Sequence, residues 1–414
     1  MSPVSGPPSR GDDEPNPLAG LGEMLQSLGR MMTAATGEGG SGLTAAALRQ
    51  GASTHMPSHR IVDARLTQAV DAAGELANMW LDTATTMPAA GALRAWSPQE
   101  WLEATAAGWV SLANPVIAGT AGASSAALTS LTAAGDPDAP QPAVQLPLAS
   151  MFERICAGVL HQQLAQTVAR LAASTVALHE VPVDLAGGAA VLPHAVEEWA
   201  VELGVPKDQA LLWCAMREVA LARLLEANPW ISRAITDGLA ACAASLHVDA
   251  GAIEEAMHGI DLTNLSSMPD LWTSGAMDAR PSAAGQAAAA RVETLVTLME
   301  SWADSVIGAA AAGRLPAHVA MCEAYHRRRQ SASATKELLD SLLGVDVSGR
   351  RLRVAQGLWD YIASKHTVQA RDRLWSHPDL LPTTDDLADP TDFIAALNSE
   401  PLTAGDGLDS PDTN

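Results

Sequence analysis

From Ile61 onward the apolar residues recur three and four positions apart, a period that gathers them on one face of an α-helix and that a strand, with its two-residue repeat, cannot use. Val292, Leu295, Val296, Met299, Trp302 and Val306 form one such stripe, and Ile61, Leu66, Val70, Ala73, Leu76 and Trp80 form another. Runs of β-branched residues are rare. The fold class read from this pattern is mainly α, with at most a small β element.

Punctuation divides the pattern. Residues 1–60 alternate Gly, Pro and Ser clusters with one short amphipathic piece around Leu21 to Met32, and read as a mobile N-terminal lead. Residues 61–135 read as an N-terminal helical layer whose second helix opens on the capping box Ser97-Pro98-Gln99-Glu100. Pro137, Pro140, Pro142 and Pro147 make 136–148 a linker. A helical domain over 149–397 follows, with helices expected at 149–177, 206–227, 231–246, 250–258, 286–312, 316–329, 333–343 and 350–374. Val181 to Pro193 reads as a loop with a short strand or hairpin, and Asn228-Pro229 stops the helix before it. The last stretch is acidic and Pro-rich. It reads as a surface-wrapping segment to about Leu397 and a disordered acidic tail over 398–414.

Composition excludes whole classes of function. With 25 Lys and Arg against 47 Asp and Glu, the net charge of -22 argues against a nucleic-acid partner, which demands a basic footprint. Cys156, Cys214, Cys242 and Cys322 are too scattered for a metal or redox pair, so free thiols in a reducing compartment are expected. Met1 to Gly20 lacks the basic-then-apolar order of a secretory signal, and a cytoplasmic location follows. Ala104 to Gly135 is uncharged but mostly Ala, Gly, Ser and Thr, broken at Asn114-Pro115. It reads as a buried helical hairpin, with no membrane partner.

Candidate chemistry is sparse. His55 and His59 have metal-ligand spacing with Pro57 between them, whereas His161, His179, His194, His247 and His258 are isolated and read as surface or core-satisfied histidines. Gly122-Ala123-Ser124-Ser125-Ala126 half matches a nucleophile elbow but has no strand before it. Arg327-Arg328-Arg329 and Arg350, Arg351 and Arg353 flank a helix-turn-helix length of chain through Lys336 to Leu343. Such strips suit a regulatory nucleic-acid binder, although pairing with the acidic C-terminal segment accounts for the same arginines. The 11 Trp lie within apolar stripes and read as packing.

Motif order says more. Leu192-Pro193-His194-Ala195-Val196-Glu197, Gly204-Val205-Pro206, Met216-Arg217-Glu218-Val219-Ala220-Leu221-Ala222-Arg223-Leu224-Leu225, Asn228-Pro229-Trp230-Ile231, the two arginine clusters and His377-Pro378-Asp379-Leu380-Leu381-Pro382-Thr383 together resemble the actinobacterial zincin-like family of zinc-dependent metalloproteases or hydrolases. The likeness runs from about Leu21 to Phe393 and implies a multi-helix zincin-like architecture. Members with an intact site carry H-E-x-x-H, where two imidazoles one helical turn apart bind zinc and the Glu acts as general base on its water. Here that stretch reads Arg217-Glu218-Val219-Ala220-Leu221. Arg217 has no accessible lone pair and Leu221 has no ligating atom.

The resemblance therefore implies a site that has lost its metal ligands, with Glu218 as a vestigial general base and no cofactor. On its residues alone, Glu218 reads as an ion pair or cap to a neighbouring segment. Glu300 is the candidate third ligand by resemblance, but Glu293, Glu300 and Asp304 fall at spacings that also suit a solvated acidic face. The expected function is a scaffold for a peptide or protein partner. An active metallopeptidase holding zinc through unconventional ligands is the alternative.

Overall fold

The computed structural model describes residues 42–58, 60–133, 145–248, 251, 279–330 and 349–399. Its helices are α1 (Ala45–Ser53), α2 (Ala64–Leu81), α3 (Pro98–Ala133), α4 (Gln145–Ser174), α5 (Pro193–Leu203), α6 (Lys207–Ala227), α7 (Trp230–Ala244), α8 (Ala283–Ala311), α9 (His318–Gln330), α10 (Gly349–Lys365), α11 (Val368–Arg373), α12 (Thr384–Ala388) and α13 (Thr391–Ser399). Three-residue strands β1 (Leu93–Ala95) and β2 (Ala189–Val191) pair in parallel, Leu93 opposite Ala189. Parallel neighbours need a long crossover, and α3 with α4 supplies it. Two-residue strands β3 (Leu246–His247) and β4 (Arg280–Pro281) pair antiparallel. The fold is mainly α with small sheets, as the three-and-four spacing requires.

Two helices make the centre. Every residue from Leu212 to Leu225 of α6 and from Thr294 to Ile307 of α8 is buried, because α2, α5, α7, β2 and α10 cover them on all sides. A helix buried all round has no solvated face on which to put charge. The expected acidic face on α8 is accordingly a misreading: Glu300 and Asp304 are 2% and 4% exposed. Trp101, Trp109, Trp213, Trp302, Trp359 and Trp375 are core residues, the last two stacked with ring centroids 5.6 Å apart.

Several boundaries differ from those read in the sequence. The core starts before Ile61, which is 74% exposed: α1 lies earlier, Thr44 caps it, and its Leu48 and Ala52 are fully buried. The Asn114 side-chain amide donates to the Leu43 carbonyl and accepts from the Leu43 N–H, so it pins the chain's entry to α3. No hairpin forms at Asn114-Pro115. Pro115 sits inside a continuous α3, where the loss of one backbone hydrogen bond is outweighed by packing against α4 and α7. Close approach explains the small residues there, since a Cβ at Gly108 would run into the Leu185 backbone and one at Gly119 into the Ala243 carbonyl. The capping box forms as read, Glu100 accepting from the Ser97 N–H and hydroxyl while Ser97 Oγ accepts from the Glu100 N–H. The expected 350–374 helix is split at Thr367, whose side chain caps α11. Residues 145–148 of the expected linker already belong to α4, with Pro147 in the first turn where proline is tolerated; the linker before Gln145, the helices at 250–258 and 333–343, His59, His258, Lys336, Leu343 and the tail beyond Ser399 lie outside the described residues.

Among the described residues no helix is long and apolar enough to cross a membrane.

Candidate functional site

Arg217, Glu218 and Leu221 sit mid-way along α6, each buried. Residues one and four apart on a helix diverge and converge respectively, so Arg217 and Leu221 share a face while Glu218 points elsewhere. Glu218 faces the turn that follows α4. Its carboxylate accepts the His179 backbone N–H at 3.0 Å, the Ala190 N–H of β2 at 2.9 Å, and pairs with His179 Nδ1 at 2.9 Å. Burial alone would lower the His179 pKa, but the facing Glu218 carboxylate outweighs it and the net displacement is upward. This is the ion pair and cap that the residue types suggested for Glu218.

Arg217 turns towards α8. Its guanidinium forms ion pairs with Glu300 and, through Nη1 at 2.5 Å, with Asp304, and its Cζ lies 4.2 Å from the centre of the Tyr325 ring. Asp304 also meets His326 Nε2 at 2.8 Å. Burial pushes the Asp304 pKa up, yet Arg217 and His326 together hold it below its ordinary value. Tyr325, buried against the cluster, is pushed up to about 12, mainly by desolvation. Arg329 Nη1 lies 2.5 Å from the same Glu300 carboxylate, a second ion pair on that group. Next to this, Glu180 accepts from the Thr175 hydroxyl, the Val176 N–H and Arg328 Nε, all within 2.9 Å. The cluster thus sets Arg217, Arg328 and Arg329 against Glu180, Glu218, Glu300 and Asp304, with His179 and His326 each facing one of the carboxylates.

The space between these groups is small. A cavity bounded by His179, Glu180, Cys214, Arg217, Glu218 and Leu221 has room for about one water molecule. That cavity is too small for a peptide segment.

The remaining candidates fall elsewhere. His55 lies exposed after α1, His161 is on α4, His247 is exposed in β3, and His194 Nε2 meets the Ile61 carbonyl at 3.1 Å. Ser124 bonds back to the Thr120 carbonyl within α3, a helical residue rather than a nucleophile elbow. Members of both arginine clusters meet carboxylates within the helical body. Arg327 pairs with Glu323, Arg328 with Glu180, Arg329 with Glu300 and Arg351 with Glu293. The buried carboxylates of Glu180 and Glu300 draw Arg328 and Arg329 inward, whereas Arg327 and Glu323 pair on the exposed side of α9. Glu180 and His326 were not singled out in the sequence, and His179, Asp304 and Arg328 were read there as a lone histidine, part of an acidic face and part of a basic strip, although an unpaired charge such as Arg217 in an apolar helix is itself a signal that carboxylates must face it.

Zincin-like metallopeptidases match residues 43–394 of the sequence. The chain belongs to the zincin-like metallopeptidase family. Among solved structures it is similar to a protein from Chloroflexus aurantiacus, provisionally described as a hydrolase with a novel fold, at 16% identity and a TM-score of 0.57, covering 85% of this chain and 98% of that one. At that identity the likeness is one of fold. No curated protein matches. The family implies zinc, and this zincin-like chain does not offer it a site on α6. A guanidinium and an isobutyl group stand where lone pairs are needed, and the guanidinium is already bound to the two nearest carboxylates. Among the described residues no three His, Cys, Asp or Glu are grouped to hold a metal ion.

Proposed function

We propose that this zincin-like protein works without zinc and without peptidase activity, as a scaffold that binds a peptide or protein partner. The observation that carries the reading is Arg217, whose guanidinium lies between Glu300 and Asp304 where the family motif would place an imidazole ligand. A Glu beside it has no metal-bound water to deprotonate, and Glu218 is instead saturated by His179 and Ala190. A partner of such a scaffold would be met on the outer surface of the helical body, a reading that the small size of the cavity beside Glu218 supports. Metal analysis of the purified protein tests this directly, and the expected result is no stoichiometric zinc and no chelator-sensitive cleavage of peptide substrates. Zinc at one per chain would overturn the reading in favour of an active metallopeptidase with unconventional ligands. In the double variant Arg217→His/Leu221→His two imidazoles return one turn apart, and zinc binding stronger than in either single variant is expected.

A further inference from the structure

We infer that Glu300 and Asp304 of α8 form a cation site that the chain fills from within, with the guanidinium of Arg217 as the ligand that spans both carboxylates and Arg329 as a second cation on Glu300 alone. The inference rests on the absence of zinc proposed above and adds what took over the ion's charge. Three features make the site specific for a planar guanidinium rather than for any buried cation. Glu300 and Asp304 are one helical turn apart and take one terminal nitrogen each, a two-pronged contact that suits the fork of an arginine. The Tyr325 ring covers one face of the plane. His326 holds the second oxygen of Asp304 at 2.8 Å, which fixes that carboxylate for its role. All three partners of Arg217 come from α8 and α9, so the site joins α6 to both helices.

If charge and shape are what the site recognises, a vacated site should accept a small guanidinium from solution. Arg217→Ala is expected to melt roughly 5–10 °C below the unmodified protein. Millimolar methylguanidinium should recover at least half of that loss in Arg217→Ala and none in the unmodified protein. Methylurea, planar and of like size but neutral, should recover nothing. An Arg217→Met variant as stable as the unmodified protein, or methylurea matching methylguanidinium, would show that filled space alone matters and would overturn the inference. Should Arg217→Ala fail to fold, the comparison of Glu300→Gln/Asp304→Asn with the triple variant that adds Arg217→Met decides. The triple variant should be at least as stable, because the guanidinium then has no charge to neutralise, and a triple variant much less stable contradicts the site. A chelator that lowers the melting temperature of the unmodified protein would instead strike at the absence of zinc, a failure separate from these.

Discussion

Replacing Glu218 by Ala separates a structural carboxylate from a catalytic one. The change strands two buried backbone donors, the N–H groups of His179 and Ala190, and removes the counter-charge of the His179 ring. A buried donor left unsatisfied costs about 1–3 kcal/mol. Breaking one side of a buried ion pair costs about 3–5 kcal/mol in all. The terms overlap, since a water entering the adjoining cavity can satisfy one donor, so the expected loss is about 4 kcal/mol rather than the sum. For a chain longer than 250 residues this is a fall in melting temperature of roughly 8 °C. Glu218→Gln keeps an acceptor oxygen while losing the charge, and should cost about 1–2 kcal/mol. Thermal and urea unfolding of the two variants beside the unmodified protein measures both. A Glu218→Ala protein within about 0.5 kcal/mol of the unmodified one would refute the reasoning, because a surface change of no structural consequence behaves that way.

The titrating groups give the pH dependence of the same cluster. His179 has its pKa raised by folding, so its contribution is fully present below the ordinary 6.5 and fades as pH rises through the folded value; the cost of His179→Gln should shrink from pH 6 towards pH 9. Asp304 has its pKa lowered, so its contribution is present above the ordinary 3.8 and is lost as pH falls through the folded value; unfolding of Asp304→Asn followed against pH should show its cost disappearing in acid. On α3, Gly108→Ala should destabilise by about 1–3 kcal/mol because the new Cβ meets the Leu185 backbone, whereas Gly122→Ala, with nothing within 4 Å of its Cβ, should stabilise by about 0.5–1 kcal/mol in the same denaturation assay.

How far the sequence could be read depended on whether a signal was local. The capping box at Ser97, the stop at Asn228-Pro229 and the α8 stripe are local and came out as read. Pro115 misled because its local cost is paid back by contacts of α3 with α4 and α7 that no neighbouring residue announces. The charged residues of α8 misled for the same reason. Their spacing of four suits a wet face and a buried ion pair equally well, and only the arrival of Arg217 from α6 and Arg329 from α9 decides between them. The three-residue strands are too short to show a period at all.

A metal ion and a guanidinium solve one electrostatic problem by different routes. Two carboxylates buried within one helical turn cannot both stay ionised without a cation beside them. A zinc ion supplies that charge only when bound, which links the fold to metal supply and pH. Arg217 supplies it covalently, and its pKa is driven further upward by Glu300, Tyr325 and Asp304 against the opposing effect of burial, so it stays charged at any pH at which the fold exists. A guanidinium holds no water to deprotonate, so on the zinc-free reading proposed above the residue that joins the three helices would also leave Glu218 a structural carboxylate.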